Sequence, residues 1–212
     1  MKSKYFSEFL GTALLFCTVV GSGIMGENLS SNDSLTLLAN TLATVFALYF
    51  LITIFGDHSS HFNPVVSMVM LVRKEISTQV CIVFIILQIS GAILGVMIAN
   101  YIFELDPVFF SEKQRSGTHL FVSEILATFG LLMVILLSAK EKVAVTVAVY
   151  IGAAYWFTSS TSFANPAGTI GRSFSNTFAG ISPGDILHFC VAQLIGALLA
   201  LFVYNSFFKK PE

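Results

Sequence analysis

The sequence predicts an all-α membrane protein in which six transmembrane helices and two half-helices form an inverted repeat. Three observations predict this class: the chain is strongly apolar, its charges are confined to short intervals, and two short segments each begin with Asn-Pro. Of the 212 residues, 55% are hydrophobic and 11% are charged, and the mean hydropathy is +0.82. An average soluble domain carries about 25% charged residues. The composition therefore excludes a soluble enzyme, a nucleic-acid-binding protein and a disordered chain.

The charged residues leave long intervals free of charge. Asp, Glu, Lys and Arg do not occur in residues 9–26, 34–56, 76–103, 143–171 and 186–208. A helix needs about 20 apolar residues to cross a bilayer. The apolar runs predict six spans, at about 5–25, 35–55, 78–102, 119–139, 142–160 and 186–208.

The first run could also be taken for a signal peptide, because Lys2 and Lys4 precede it. Glu8 interrupts its start and no cleavage site of the A-x-A type follows, so we interpret it as the first span. The three cysteines all lie in apolar runs and are interpreted as packing residues. We expect no disulfide, no metal site and no cofactor.

Two shorter segments, about 63–71 and 165–176, begin with Asn63-Pro64 and Asn165-Pro166. Asn is a favoured N-cap, and Pro suits the first position of a helix. The first segment is about 13 Å long as a helix, which is about half of the hydrocarbon core. Both segments are therefore predicted to be half-helices that do not span the membrane.

The chain repeats one order of features: a Glu in the first span, the Asn-Pro pair, and a Gln in the third span. In repeat 1, about 1–103, and repeat 2, about 118–210, these are Glu8 and Glu124, Asn63-Pro64 and Asn165-Pro166, Gln88 and Gln193. Three spans per repeat force the second repeat to insert upside down. We expect a single channel domain, 1–212, whose site lies near the bilayer midplane.

Basic residues predict the orientation. One side collects eight of the eleven, namely Lys2, Lys4, Arg73, Lys74, Lys140, Lys142, Lys209 and Lys210. The other side has Lys113, Arg115 and Arg172. We therefore expect a multi-pass protein of the cell membrane with both termini in the cytoplasm.

Half-helices inserted from opposite faces bring their N-termini together near the bilayer centre. Each N-terminus carries about half a positive charge and free N–H groups. The amides of Asn63 and Asn165 can donate to a passing oxygen, while cations and protons meet an electrostatic barrier. The sequence predicts a pore for neutral molecules, and its centre is formed by Asn63, Pro64, Val65, Asn165, Pro166 and Ala167.

Four polar residues within the spans require partners, because a buried polar group in a membrane is costly. Backbone that leaves the helix before each Asn-Pro also has N–H and C=O groups that only protein can satisfy. We expect the two sets to bind each other and to brace the loops. The four residues are Glu8, Glu124, Gln88 and Gln193.

The motifs His61-Phe62-Asn63-Pro64-Val65 and Phe163-Ala164-Asn165-Pro166-Ala167 resemble those of the aquaporin, or major intrinsic protein, family, whose hallmark is two Asn-Pro-Ala motifs in inverted repeats. Val65 replaces the usual Ala of the first motif. The resemblance covers the whole chain. It implies a six-helix bundle, usually a homotetramer in the lipid bilayer, with one pore per subunit for water and small neutral solutes and no nucleic-acid partner.

In that family four positions on the extracellular side set selectivity. Counted from Asn165, the position before the second motif is Ser162, the position three after Asn165 is Gly168, and the fifth-span position is Ala153. The second-span position is Ala43 or Thr44. None of these is the aromatic, His or Arg residue of the water-specific set. Arg172, one turn after Gly168, leans back toward the vacated space; it either lines the pore or extends into the outer vestibule.

Small side chains at the filter predict an opening wide enough for glycerol, urea or undissociated metalloid hydroxides as well as water. The run 155–163 and the segment 169–173 are similar to bacterial members that resemble arsenite channels. The alternative is a secondary transporter, which also uses inverted repeats and broken helices. The broken segments carry no acidic residue for ion coupling, so we favour the channel. A membrane enzyme would need convergent catalytic groups, and none are visible.

Overall fold

The structure, a computed structural model, describes residues 2–209 and contains eight α-helices in that range. Lys210, assigned above to the cytoplasmic side, lies outside the described residues. The helices are α1 (Lys2–Leu29), α2 (Asp33–Phe55), α3 (Pro64–Val72), α4 (Thr78–Ile102), α5 (Thr118–Leu137), α6 (Val143–Phe157), α7 (Pro166–Arg172) and α8 (Ile186–Val203). A 3₁₀ turn precedes each of α6 and α8, and a π-helical turn, Tyr204–Phe208, follows α8.

The predicted all-α membrane fold is confirmed. Within residues 2–209, five helical segments are long and apolar enough to cross a membrane: Lys2–Leu29, Asp33–Phe55, Thr78–Ile102, Thr118–Leu137 and Pro183–Phe208. The fifth predicted span, 142–160, is shorter than expected, because the chain leaves the helix at Thr158 with extended backbone. Its 15 residues extend about 22 Å at 1.5 Å per residue.

The half-helices form where Asn-Pro predicts them. Asn63 and Asn165 cap α3 and α7 from extended backbone, and Pro64 and Pro166 occupy the first helical positions. α7 ends at Arg172, four residues earlier than the predicted 176, because the N–H of Ser173 turns back to the carbonyls of Ile170 and Gly171. The second half-helix therefore has seven residues.

Equivalent helices of the two repeats make equivalent contacts. α1 packs against α2 and α4, and α5 packs in the same way against α6 and α8. Gly91 allows the first close approach, because a Cβ there would lie 2.5 Å from the carbonyl oxygen of Phe9. Gly196 has the same role, since a Cβ there would overlap the carbonyl oxygen of Ile125. Small residues at helix contacts are typical of membrane bundles.

Each half-helix packs against helices from both repeats. α3 contacts α4 and α8, and α7 contacts α4, α8 and α1. Large apolar side chains cover the outside, as in Phe46 and Phe207, which are 64% and 75% exposed. The bundle therefore presents an apolar exterior to lipid and places the two half-helices inside.

The loop after α4 (103–117, the α4–α5 loop) pairs with the loop after α7 (173–182, the α7–α8 loop). The N–H of Phe109 donates to the carbonyl of Phe174 (3.1 Å), and the N–H of Ser111 donates to the carbonyl of Ser173 (2.9 Å). The N–H of Ser182 returns a bond to the carbonyl of Lys113 (2.8 Å). These bonds hold the two loops side by side at the end of the bundle where α7 ends.

Candidate pore

The side chains of Asn63 and Asn165 each cap their own half-helix. Asn63 Oδ1 accepts from the N–H of Val65 at 3.1 Å, and Asn165 Oδ1 accepts from the N–H of Ala167 at 3.0 Å and Gly168 at 3.3 Å. Both side chains are at least 90% buried and line the same cavity. The N-termini of α3 and α7 thus face one space.

The same two amides also connect the repeats. Asn63 Nδ2 donates to the carbonyl of Ala164 at 2.7 Å, and Asn165 Nδ2 donates to the carbonyl of Phe62 at 2.8 Å. A side-chain amide has two N–H donors, so each Asn has a second N–H for an oxygen in the cavity. Sequence reasoning did not find this exchange of hydrogen bonds across the pore centre.

The two accepting residues have unusual backbone conformations. Phe62 has φ 49° and Ala164 has φ 46°, in the left-handed region that non-glycine residues rarely adopt. Both immediately precede the Asn of a motif. Strain of this kind persists only where the surroundings hold the backbone in place, and here it turns each carbonyl toward the opposite Asn.

Glu8 holds the backbone that leads to Asn63. Its carboxylate accepts from the N–H groups of His61 (2.7 Å) and Phe62 (2.8 Å) and from Gln88 Nε2 (2.7 Å). Gln88 Nε2 also donates to Ser67 Oγ at 2.9 Å, on the first turns of α3. Glu8 and Gln88 are fully buried.

Glu124 makes the equivalent contacts in repeat 2. It accepts from the N–H groups of Phe163 and Ala164, both at 2.9 Å, and from Gln193 Nε2 at 2.7 Å. Gln193 Nε2 also donates to Thr169 Oγ1 at 2.9 Å. Each repeat therefore has a buried Glu and Gln that tie one loop to one half-helix.

The cavity beside the two Asn side chains has a volume of about 160 Å³. Its walls are mostly apolar. At one end it shares Ser60, His61 and Met70 with a larger vestibule of about 870 Å³, which contains Lys4 and Lys140. At the other end, named here the outer end of the cavity, it is lined by Thr44, Tyr155, Ser162 and Arg172.

Three of the six predicted filter residues line the cavity, namely Thr44, Ser162 and Arg172. Ala43, Ala153 and Gly168 are not among its lining residues. Of the two alternatives on α2, Thr44 is buried and lines the cavity, whereas Ala43 is half-buried and does not line it. Ser162 Oγ is buried and, within residues 2–209, has no hydrogen-bond partner.

Ala153 is exposed on the outer face of α6. Ile151 and Tyr155, one helical turn apart, line the cavity instead, and a residue halfway between them points to the opposite side. The position twelve residues before Asn165 therefore does not face the pore, whereas the position ten residues before it does. Counting from the second motif gives Ala153 and not Tyr155, so Tyr155 is a cavity residue that the sequence pattern does not indicate.

Tyr155 connects α6 to α2 at the outer end of the cavity. Its hydroxyl lies 3.1 Å from Thr44 Oγ1, and both side chains are buried. The pair and the unpartnered Ser162 hydroxyl together place three hydroxyl groups at this end of the cavity.

Gly168 is buried against α1. A Cβ there would overlap the ring of Phe16, which itself lines the cavity. A side chain at position 168 would therefore have to displace Phe16 before it could reach the cavity.

Arg172 is 5% exposed and lines the outer end of the cavity. Its Nε donates to the carbonyl of Ala179, and its guanidinium carbon lies 3.4 Å from the centre of the Phe163 ring. The side chain is thus held by a backbone carbonyl and an aromatic face, and no carboxylate of residues 2–209 is hydrogen-bonded to it.

No group of three or more His, Cys, Asp or Glu residues with the arrangement of a metal site occurs in residues 2–209. Thr44, Tyr155, Ser162 and Arg172 at one end and the two asparagines near the half-helix termini are the hydrogen-bonding side chains of an otherwise mostly apolar cavity.

The model of the major intrinsic protein family matches residues 1–204. The chain belongs to the major intrinsic protein family. It is 48% identical over 199 residues to aquaglyceroporin AqpS of Rhizobium meliloti (strain 1021), covering 92% of this chain and 85% of that protein. It is 33% identical over 218 residues to glycerol uptake facilitator protein-like 6 of Lactiplantibacillus plantarum, covering 94% and 95%.

The fold resembles that of the aquaglyceroporin from Plasmodium falciparum, with a TM-score of 0.74, 19% identity, and coverage of 97% of this chain and 96% of that one. Membership of the major intrinsic protein family makes the chain an integral membrane channel for water and small solutes and not an enzyme.

Proposed function

We propose that this channel conducts small neutral solutes together with water and excludes ions, including protons. The observation that carries the proposal is the meeting of α3 and α7, whose asparagines each keep one amide N–H for the cavity while the other crosses to the opposite repeat. Opposed helix N-termini favour oxygen acceptors and repel cations.

The outer end of the cavity supports a solute larger than water. Thr44, Tyr155 and Ser162 contribute hydroxyls that both donate and accept, and Arg172 contributes donors. A polyol, urea or an undissociated metalloid hydroxide has matching donors and acceptors. The relatives are named as an aquaglyceroporin and a glycerol uptake facilitator-like protein, which supports glycerol as the first solute to test.

Stopped-flow light scattering on reconstituted vesicles tests this proposal. Vesicles with the protein are mixed in turn with gradients of sucrose, glycerol, urea and undissociated arsenite. We expect water efflux followed by re-swelling for at least one of the last three solutes, unaffected by a protonophore. Water flux alone would contradict the solute proposal, and a flux abolished by the protonophore would favour the coupled transporter.

We further propose that the termini are cytoplasmic and that the protein is a homotetramer. Lys4 and Lys140 share one vestibule, whereas Lys113, Arg115 and Arg172 lie at the opposite end, as the positive-inside rule requires of a cytoplasmic N-terminus. The exposed apolar surface suits both lipid and neighbouring subunits. Reporter fusions at the C-terminus test the orientation, and native mass spectrometry in detergent tests the tetramer.

A further inference from the structure

The three basic residues of the outer side meet at one place. Three successive carbonyls of the α7–α8 loop accept from these residues. Lys113 donates to Phe178, Arg115 donates to Phe178 and Gly180, and Arg172 of α7 donates to Ala179 between them. Arg172 is the cation of this group that lines the cavity.

Arg172 depends on the backbone of the α7–α8 loop for its position. Its Nε donates to the carbonyl of Ala179, which is fully buried. A displacement of that carbonyl would therefore shift the guanidinium along with it. No carboxylate is hydrogen-bonded to Arg172 within residues 2–209.

Arg115 binds the carbonyls on either side of Ala179. Its Nε donates to the carbonyl of Gly180 at 2.7 Å and its Nη2 to that of Phe178 at 3.2 Å. Its own backbone is fixed, since its N–H donates to Asp185 Oδ2 at 2.6 Å. A guanidinium has several donors in a rigid plane, so one side chain can hold both flanking carbonyls.

Both guanidinium groups also contact Phe163. The carbon of Arg115 lies 4.9 Å and that of Arg172 lies 3.4 Å from the ring centre. Arg115 remains charged at neutral pH, because burial lowers its pKa only to about 10. Two like charges on one ring repel, so the backbone carbonyls and the aromatic face have to stabilise both groups.

We infer that Arg115 is a positioning residue for selectivity: by clamping the carbonyls of Phe178 and Gly180, it fixes the carbonyl of Ala179 and so holds Arg172 at the outer end of the pore. This inference rests on the proposed function, since it requires a flux of solute that Arg172 limits.

Lys113 provides a matched control. Its Nζ donates to the same carbonyl of Phe178 at 2.9 Å, but no bond to Gly180 and no contact with Phe163 accompany it. Lys113 therefore adds a positive charge to the cluster but does not bind the carbonyls on both sides of Ala179. Lys113→Gln therefore removes one cation and leaves the clamp.

A double-mutant cycle in reconstituted vesicles tests the inference. Glycerol and water permeabilities are measured for the wild type, Arg115→Gln, Arg172→Ala, the double variant and Lys113→Gln, each normalised to the reconstituted protein. We expect Arg172→Ala and Arg115→Gln each to raise the glycerol-to-water ratio by about threefold, within the range of coupling for residues that share partners. The double variant should match Arg172→Ala, and Lys113→Gln should match the wild type.

The inference would be overturned if the two substitutions acted independently. Arg115→Gln would then change the glycerol-to-water ratio by the same factor in the wild type and in Arg172→Ala. An unchanged ratio in Arg115→Gln would overturn it as well. Should Arg115→Gln fail to assemble, Arg115→Lys replaces it in the cycle with the same expected non-additivity, because a lysine donates from one point and cannot hold both carbonyls. A wild type that conducts neither water nor glycerol would instead contradict the proposed function.

Discussion

Among the individual residues, Glu8 and Glu124 are unusual because their carboxyl groups are fully buried and, within the part of the chain that the structure describes, form no salt bridge. Their oxygens accept from backbone N–H groups and from a Gln. In a membrane interior, such groups must be fully hydrogen-bonded to be tolerated. The two residues therefore support the loop backbone, and their contribution is measurable as stability.

Glu124→Leu should lower the yield of assembled protein more than it changes the selectivity of the fraction that assembles. The change leaves the N–H groups of Phe163 and Ala164 without an acceptor, at a cost of about 1–3 kcal/mol each. Size-exclusion yield and thermal stability in detergent measure this, with the exposed Glu141→Leu as the control. A Glu124→Leu protein with wild-type yield and thermal stability would show that Glu124 does not brace the loop.

A substitution of Asn63 at the pore centre tests the electrostatic account of ion exclusion. Asn63→Asp should weaken ion exclusion, because the carboxylate offsets the positive potential of the helix N-termini. It also removes the donor to Ala164 and sets two acceptors against each other, so a lower thermal stability should accompany it. Cation conductance of planar bilayers is the measurement.

Asn176→Asp is the matched control, since Asn176 Oδ1 only accepts from the N–H of Glu112 and an Asp can do the same. Equal cation conductance in wild-type and Asn63→Asp channels that conduct water normally would count against the electrostatic account of ion exclusion.

At the scale of helices, the features that recur in both repeats are those that the sequence predicts correctly. The Asn-Pro pairs, Glu8 with Glu124, and Gln88 with Gln193 recur in order, so the sequence alone predicted the half-helices and the inverted fold, and the fold prediction is confirmed. The filter was harder, because it depends on which face of a helix points inward. Ala153 and Tyr155 are two residues apart and lie on opposite faces of α6.

Other features leave no pattern in the sequence at all. The sequence predicts that Gly168 leaves a filter position without a side chain. In the structure, however, a Cβ added at Gly168 would overlap the ring of Phe16 on α1. Arg115 and Arg172 meet through loop carbonyls 178–180, and nothing in their spacing indicates this. Long-range contacts between loops require the three-dimensional structure.

The close helix contacts at glycines predict a further effect. Gly91→Val should destabilise the bundle, because its Cβ would lie 2.5 Å from the Phe9 carbonyl and backbone atoms cannot move aside. Overpacking of this kind costs about 1–3 kcal/mol. Thermal unfolding in detergent measures it.

Gly184→Val serves for comparison, since a Cβ at Gly184 would lie 3.8 Å from the Ser182 hydroxyl, an ordinary van der Waals distance. If Gly91→Val and Gly184→Val unfold at the same temperature as the wild type, α1 and α4 are not held together as closely as described.

For the whole molecule, the two repeats combine an apolar exterior, a wide vestibule lined by Lys4 and Lys140, and a narrow cavity with opposed half-helices at its centre. The polar atoms that face the cavity are neutral apart from Arg172 and the titratable His61. A path of this kind allows water and small solutes to exchange hydrogen bonds one at a time, while the helix termini maintain a positive potential. The central claim of this account is passage of neutral molecules with exclusion of ions.

Simultaneous measurement of water flux and proton leak in the same proteoliposomes tests that claim most directly. Vesicles loaded with a pH-sensitive dye are given an osmotic gradient and, separately, a pH gradient with valinomycin and potassium to prevent a charging potential. We predict that water permeability rises with the amount of reconstituted protein while the proton leak stays at the level of empty vesicles. A proton leak that rises in proportion to water permeability would contradict the account.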